Sequence, residues 1–440
     1  MKRYFPILSW LPAYKKAYLS GDIFAGITVG VMLIPQGMAY AMIAGLPPVF
    51  GLYAALVPQV IYALTGTSRQ LAIGPVAMDS LLIASGLGAL SISGIDEYIS
   101  MAIFLSLFIG TIQLAMGFLK MGFLVNFLSK PVINGFTSAA ALIIGISQLK
   151  HLLGIEITSN KTLHILQQTF LQLDQINPLA VIVGLSGIAL MLIIKRLNSQ
   201  IPTAIVVVIL GIALAYFTPI ADYGLQLVGK IPDGLPAFKI PEVPWSNLGD
   251  LFTIALAMAL IAFMEVISIG KALDEKVNAN TIIPNQELIA LGTSNIMGSL
   301  FQSYPTTAGF SRTAVNFQAG AKTGVAAFIS AALVALTLLF LTPLFYYLPN
   351  AILASIIMLA ITSLIDFKYP QELYKYQKDE FVLLMATFFI TLLVGIQEGI
   401  ILGVLFSLLL MVYRTSKPHM AVLGQIKGTT YFKNITRFAP

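Results

Sequence analysis

Apolar stretches of membrane-crossing length recur from one end of this chain to the other. Residues 251–264 read LFTIALAMALIAFM, and 324–342 are equally free of charge. A helix needs about 20 predominantly apolar residues to cross the hydrocarbon layer. Only helices and closed barrels satisfy their own backbone polar groups there. The stretches lack the alternating polarity of barrel strands. The chain therefore reads as an all-α polytopic membrane protein. Of its 440 residues, 58% are hydrophobic and 10% charged, whereas a soluble domain carries about 25% charge.

Spans are predicted near 22–42, 50–66, 75–89, 98–118, 123–148, 177–195, 201–217, 249–270, 285–302, 308–320, 324–342, 347–365, 378–395 and 396–413, about fourteen in all. The last two could be one long helix; GIQEG at 395–399 divides them. The basic residues test this topology. With the N-terminus inside, only Lys150, Lys161, Lys230 and Lys239 of the 25 lysines and arginines fall outside. Lys130 and Arg312 lie within spans, and all the others are inside. Such asymmetry places both termini in the cytoplasm of a multi-pass cell-membrane protein. The net charge of +6 then reports orientation and gives no reason to invoke nucleic acid. Residues 1–21 read as a cytoplasmic segment with a short surface helix around Trp10. From Ser159 onward, Leu163, Leu166, Phe170 and Leu173 read as an interfacial helix, and 218–247 as a proline-rich ordered loop. There is no cysteine, and three scattered histidines show no metal-ligand spacing. No cofactor is expected, and no nucleophile–base pair suggests an enzyme.

Two segments are too short to cross alone: TSRQLAIGPVAMDSLLIASGL (67–87) and QSYPTTAGFSRTAVNFQAG (302–320). Each has a polar extended lead, a proline suited to a first helical turn, and a brief apolar run. Broken helices are tolerated in lipid only where protein buries them or they line a cavity. The two lie seven spans apart, so they run in opposite directions in two inverted seven-span halves. Such pairs point to a transporter's substrate site.

Helix starts carry about +0.5 of an elementary charge and unpaired N–H groups, so two facing starts suit an anion. Arg312, after Ser311, adds a permanently charged planar fork matched to oxyanions. A snorkelling arginine, or one bonded to loose carbonyls, is the plain alternative; for Ser311 it is ordinary helix packing. Glu265 ends the apolar run of the eighth span. A carboxyl shut away from water takes up a proton more readily, and a nearby guanidinium opposes this. Anion arrival beside Arg312 would then promote protonation of Glu265; a static Glu265–Arg312 ion pair is the rival reading. In the first span, Pro35 breaks the helix, and Gln36 and Tyr40 share a face. Asp79 and Glu398 are weaker candidates, equally explained by structural bonding.

DIFAGITVGVMLIPQGMAYA (22–41), LPPVFGLYAALVP (46–58), GTSRQLAIGPVA (66–77), EVISIGKAL (265–273) and PTTAGFSRTAVN (305–316) occur in that order. Together they resemble the SulP sulfate permease family, over essentially the whole chain. The resemblance implies fourteen segments in two intertwined inverted repeats. It divides 22–413 into a core (about 22–118 and 249–342) and a gate (about 123–217 and 347–413). It implies an elevator motion of core against gate, a homodimer, and 414–440 as a linker toward a STAS domain that the chain does not reach. Gln36, Tyr40, Val76, Ala77, Ser311 and Arg312 match the family's substrate positions, and Glu265 matches its proton-coupling acid. Keeping Glu265 with Arg312 resembles proton-coupled sulfate uptake. Sodium- or proton-coupled bicarbonate or dicarboxylate transport, an exchanger, or a channel-like protein are the alternatives.

Overall fold

The computed structural model describes residues 4–434 except 89, 91, 93, 127–128, 158–161, 198–201, 278–281, 363, 417–422 and 427. Ser159, the predicted start of the interfacial helix, lies outside the described residues. The first part of the chain forms α1 (Ile7–Trp10), α2 (Lys16–Ile43), α3 (Pro48–Ala54), α4 (Val57–Thr65), β1 (Ile73–Gly74), α5 (Ala77–Gly88) and α6 (Ile95–Phe118). Next come α7 (Lys130–Ser147), α8 (Leu149–Leu153), α9 (Thr162–Leu171), α10 (Pro178–Leu197), α11 (Thr203–Phe217), α12 (Leu248–Val277) and α13 (Pro284–Ser299). The remainder is β2 (Thr307–Ala308), α14 (Phe310–Gln318), α15 (Val325–Leu336), α16 (Asn350–Ile361), α17 (Lys368–Tyr376), α18 (Lys378–Leu393), α19 (Ile396–Ser416), β3 (Leu423–Gln425) and β4 (Phe432–Asn434).

Among the described residues, seven helical stretches are long and apolar enough to cross a membrane, and four shorter apolar helices accompany them. The order of elements follows the predicted spans, with local differences that have physical causes. The first helix starts at Lys16 and runs unbroken through Pro35 to Ile43. Neighbouring helices in a membrane can compensate the bond a proline removes, so the expected break is absent. The second span is instead two helices. Pro58, in the first turn of α4, has no N–H to continue the ladder from α3. Pro305 precedes β2 rather than opening a helix; Gly309 is the N-cap of α14. The division at GIQEG holds, since α18 ends at Leu393 and α19 begins at Ile396. On α9 the buried residues are Ile165 and Thr169, while Leu163 and Phe170 are exposed, as a helix on a lipid surface would leave them. The 218–247 loop is held by main-chain bonds, among them Val228 N–H to Leu348 O (2.9 Å) and Gly234 N–H to Leu338 O (3.1 Å).

Helix pairing repeats with a period of seven segments. α6 packs on α13 as α4 packs on α15; α12 packs on α6 as α2 packs on α15; α12 meets α5 as α2 meets α14. Likewise α7 packs on α18 as α16 packs on α10, and α7 on α19 as α16 on α11. This is the packing of two inverted repeats. α2–α6 associate mainly with α12–α15, and α7, α10 and α11 with α16, α18 and α19.

Small residues allow the closest crossings, as in other membrane bundles. A Cβ on Gly292 would stand 2.7 Å from the Gly110 carbonyl oxygen, and one on Gly51 would overlap that of Gly37. Both partners at the second crossing are backbone, so neither can yield by changing rotamer. Gly51→Ala is expected to cost about 2 kcal/mol or more, read as a lower melting temperature of the purified protein. An unchanged melting temperature would show that α2 and α3 separate freely.

Two buried acids tie the ends of these helices. Asp22 on α2 accepts from Lys322 N–H (2.6 Å), Thr323 N–H (3.0 Å), Thr323 Oγ1 (2.7 Å) and Tyr14 OH (3.2 Å). It thereby fixes the turn between α14 and α15. Glu287 on α13 accepts from Tyr62 OH (2.7 Å), Thr67 N–H (2.8 Å) and the Thr67 hydroxyl. It fixes the lead into β1. The sequence reading singled out neither acid.

Candidate functional site

The two short strands create the site. Ile73 pairs with Ala308 and Gly74 with Thr307 in an antiparallel ladder. One strand leads into α5, the other into α14. Because the strands are antiparallel, the two half-helices leave the ladder in opposite directions, with their starts beside it. The ladder is extended beyond the Ile73–Ala308 pair. Gly309 N–H donates to Ala72 O (3.1 Å), Thr313 Oγ1 accepts from Ala72 N–H (3.0 Å), and Asn316 Nδ2 donates to Gln70 O (2.8 Å). Thr307 Oγ1 donates to the Ala262 carbonyl of α12 (3.1 Å). The strands, both half-helices and α12 thus form one bonded unit.

Arg312 lies in the first turn of α14 and is 1% exposed. Its Nη1 donates to Pro75 O at 2.7 Å, across the ladder at the start of α5. The plain reading of a carbonyl-bonded arginine is therefore right for one nitrogen. Among the described residues, Nε and Nη2 have no partner. Among the described residues no carboxylate stands within ion-pair distance of Arg312, so the static Glu265–Arg312 pair is not formed. A buried guanidinium with two uncommitted nitrogens, beside two helix starts, can donate to an oxyanion from several directions.

The other predicted residues are distributed around it. Val76 is half-buried, and Ala77 is buried at the start of α5. Tyr40 is buried on α2 and close enough to interact electrostatically with Arg312. Gln36, one turn earlier, is buried with Oε1 unpartnered. Ser311 is exposed, next to Phe310, which is 53% exposed. Phe310 lines a narrow cavity of about 40 Å³ together with Glu265, Met78 and, across from them, Val132, Phe136 and Thr137 of α7. Glu265 is 6% exposed and its Oε2 has no partner among the described residues. It therefore borders the seam between the two groups of helices.

Two neighbours were undervalued or missed. Asp79, 1% exposed on α5 with Oδ1 unpartnered, is within electrostatic reach of Glu265. Tyr304, fully buried ahead of β2, sits 3.4 Å through its hydroxyl from Ser80 Oγ and within electrostatic reach of Arg312. The signal for Tyr304 was present in the polar lead SYPTT, since a tyrosine buried there needs a partner for its hydroxyl. Glu398, by contrast, is exposed in the first turn of α19. Among the described residues no cluster of side chains could hold a metal ion.

The sequence model described as "Sulfate permease family" matches residues 19–387. The chain is 39% identical over 446 residues to "Sulfate transporter 4.1, chloroplastic" of Arabidopsis thaliana, covering 99% of this chain and 64% of that protein. The chain thus spans a little under two thirds of that relative's length. Among solved structures, that of SLC26A9 superposes with a TM-score of 0.91 at 29% identity, covering all of this chain and 72% of the other. The transmembrane domain of the cyanobacterial bicarbonate transporter BicA gives a TM-score of 0.76 at 24% identity, covering 90% of this chain and 98% of that domain, which is a likeness of fold.

Proposed function

The chain belongs to the sulfate permease family, and from that premise we propose that it is a secondary active transporter of inorganic anions that takes up sulfate with protons. The observation that carries this reading is Arg312: fully buried, unpaired by any carboxylate among the described residues, with Nε and Nη2 uncommitted beside two half-helix starts. The positive field there suits a divalent oxyanion. The relative named a sulfate transporter favours sulfate.

Gln36, Tyr40, Val76, Ala77, Ser311 and Arg312 line the anion's path in this proposal, and Tyr304 joins them. Glu265 carries the proton, because it borders the seam cavity without a partner at Oε2. The helices α2–α6 and α12–α15 form a moving core, and α7, α10, α11, α16, α18 and α19 a gate. The separate packing of the two groups favours this division. The bundle crosses the membrane fourteen times with both termini in the cytoplasm, and two copies associate.

The test is uptake of radiolabelled sulfate into proteoliposomes, with and without an inward proton gradient. Accumulation driven by the gradient supports the proposal. Uptake indifferent to protons but driven by sodium, or displaced by bicarbonate rather than sulfate, moves the chain to the sodium-coupled or bicarbonate alternative. Tyr304→Phe keeps the ring and removes one hydroxyl, so it is expected to raise the half-saturating sulfate concentration about fivefold with little change in maximal rate. An unchanged concentration dependence would remove Tyr304 from the path.

A further inference from the structure

A second cavity, of about 380 Å³, lies at the end of the bundle where α1, the end of α6 and the start of α13 meet. Its volume is that of a small-molecule site. Two of its lining residues are the cations Arg69 and Lys120, and among the described residues no acidic side chain lines it. Neither cation has an ion-pair partner among the described residues. Thr67 and Asn285 add polar groups to the wall. Asn285 is itself fixed, its Oδ1 accepting from Gly122 N–H at 2.7 Å.

The lining also carries exposed apolar side chains. Phe118 and Ile283 line the cavity and are 59% and 55% exposed. The N-terminal segment closes the remaining side. Gln286 Nε2 donates to Tyr4 O (3.1 Å), and the Tyr4 ring lies 6.3 Å from that of Phe118. A cavity that pairs cations with exposed apolar side chains matches a molecule with a phosphate at one end and hydrocarbon at the other.

Lys120 supplies independent support. It adopts φ 58° immediately after α6, a left-handed conformation. Glycine takes this conformation without strain and a lysine does not. The strained lysine stands where it lines the cavity, and backbone strain of this kind is found at ligand sites.

We propose that this cavity binds the phosphate headgroup of an anionic phospholipid, with the phosphate between Arg69 and Lys120 and the glycerol–acyl portion against Phe118 and Ile283. The bound lipid links the N-terminal segment to the lead of the first half-helix, since Thr67 and Arg69 belong to that lead. The site is separate from Arg312 and does not depend on which anion is carried.

The experiment uses the full chain extracted from phosphatidylcholine vesicles containing a minority of phosphatidylglycerol, with retained lipid counted by native mass spectrometry. Arg69→Gln and Lys120→Gln are each expected to lower the affinity for phosphatidylglycerol about fivefold, and the double variant about thirtyfold. Lys368→Gln, a basic residue outside the cavity, is expected to leave it unchanged. Lys120→Gly is expected to raise the melting temperature while reducing lipid retention, a combination that loss of folding cannot produce. Full retention in the double variant overturns the proposal. An equal loss in Lys368→Gln also overturns it, because the attraction is then one of general surface charge. Displacement of the lipid by inorganic phosphate overturns it too, and gives the cavity to a soluble anion.

Discussion

Arg312→Ala is expected to lower sulfate uptake about a hundredfold or more while the protein still folds and inserts. Removing one partner of a buried, hydrogen-bonded charge pair typically costs about 2–5 kcal/mol, and here the other partner would be the anion. The variant should fold because Arg312 makes one structural bond, to Pro75 O, and the ladder around it does not use its side chain. Arg312→Lys separates charge from shape. A lysine keeps the charge but loses the planar fork, so an intermediate loss is expected, concentrated in the half-saturating sulfate concentration. The measurement is initial uptake against sulfate concentration in proteoliposomes, with the melting temperature as a check on folding. Wild-type uptake by a folded Arg312→Ala protein would exclude Arg312 from the anion path.

The second large effect is expected at Glu265. Glu265→Gln has the shape of the neutral acid but no proton to lose. Gradient-driven accumulation of sulfate should therefore vanish, whereas exchange of internal for external sulfate should persist. In the wild type, uptake should rise as the external pH falls, because protonation on that side precedes inward movement and release follows on the more alkaline side. In the variant the same pH series should be flat. Asp79→Asn is the necessary comparison, since the two acids lie within electrostatic reach of each other. If only Asp79→Asn abolishes accumulation, the proton belongs to Asp79. Undiminished accumulation and pH dependence in Glu265→Gln would exclude a coupling role.

The sequence made the helices legible where apolar runs were long. It made the half-helices legible where glycine and proline interrupted short ones, as at Gly74–Pro75 and Gly309. Arg312 was visible because an arginine within a membrane segment is costly enough to need a reason. Other features depended on partners far along the chain. Two-residue strands are too short to show an alternation, so the pairing of Ile73 with Ala308 left no pattern to read. Asp22 and Glu287 resembled ordinary acids near helix ends; only the fold reveals that Thr323 and Thr67 surround them. Local chemistry alone predicts a break at Pro35, whereas the helix runs through it uninterrupted.

The ladder between the half-helices has a consequence for how such a protein comes into being. Its outermost bond joins Gln70 to Asn316, 246 residues apart. While the second half is still being synthesised, the first half-helix sits in the bilayer with one edge of its lead unmatched. Contacts of such wide separation form late and slowly, and exposed strand edges invite wrong partners in the interval. The nascent first half is therefore a vulnerable species, and the site around Arg312 is the last part of the molecule to mature. Substitutions in the second strand would then reveal themselves first as degraded, incompletely assembled chains, before any defect in turnover could be seen.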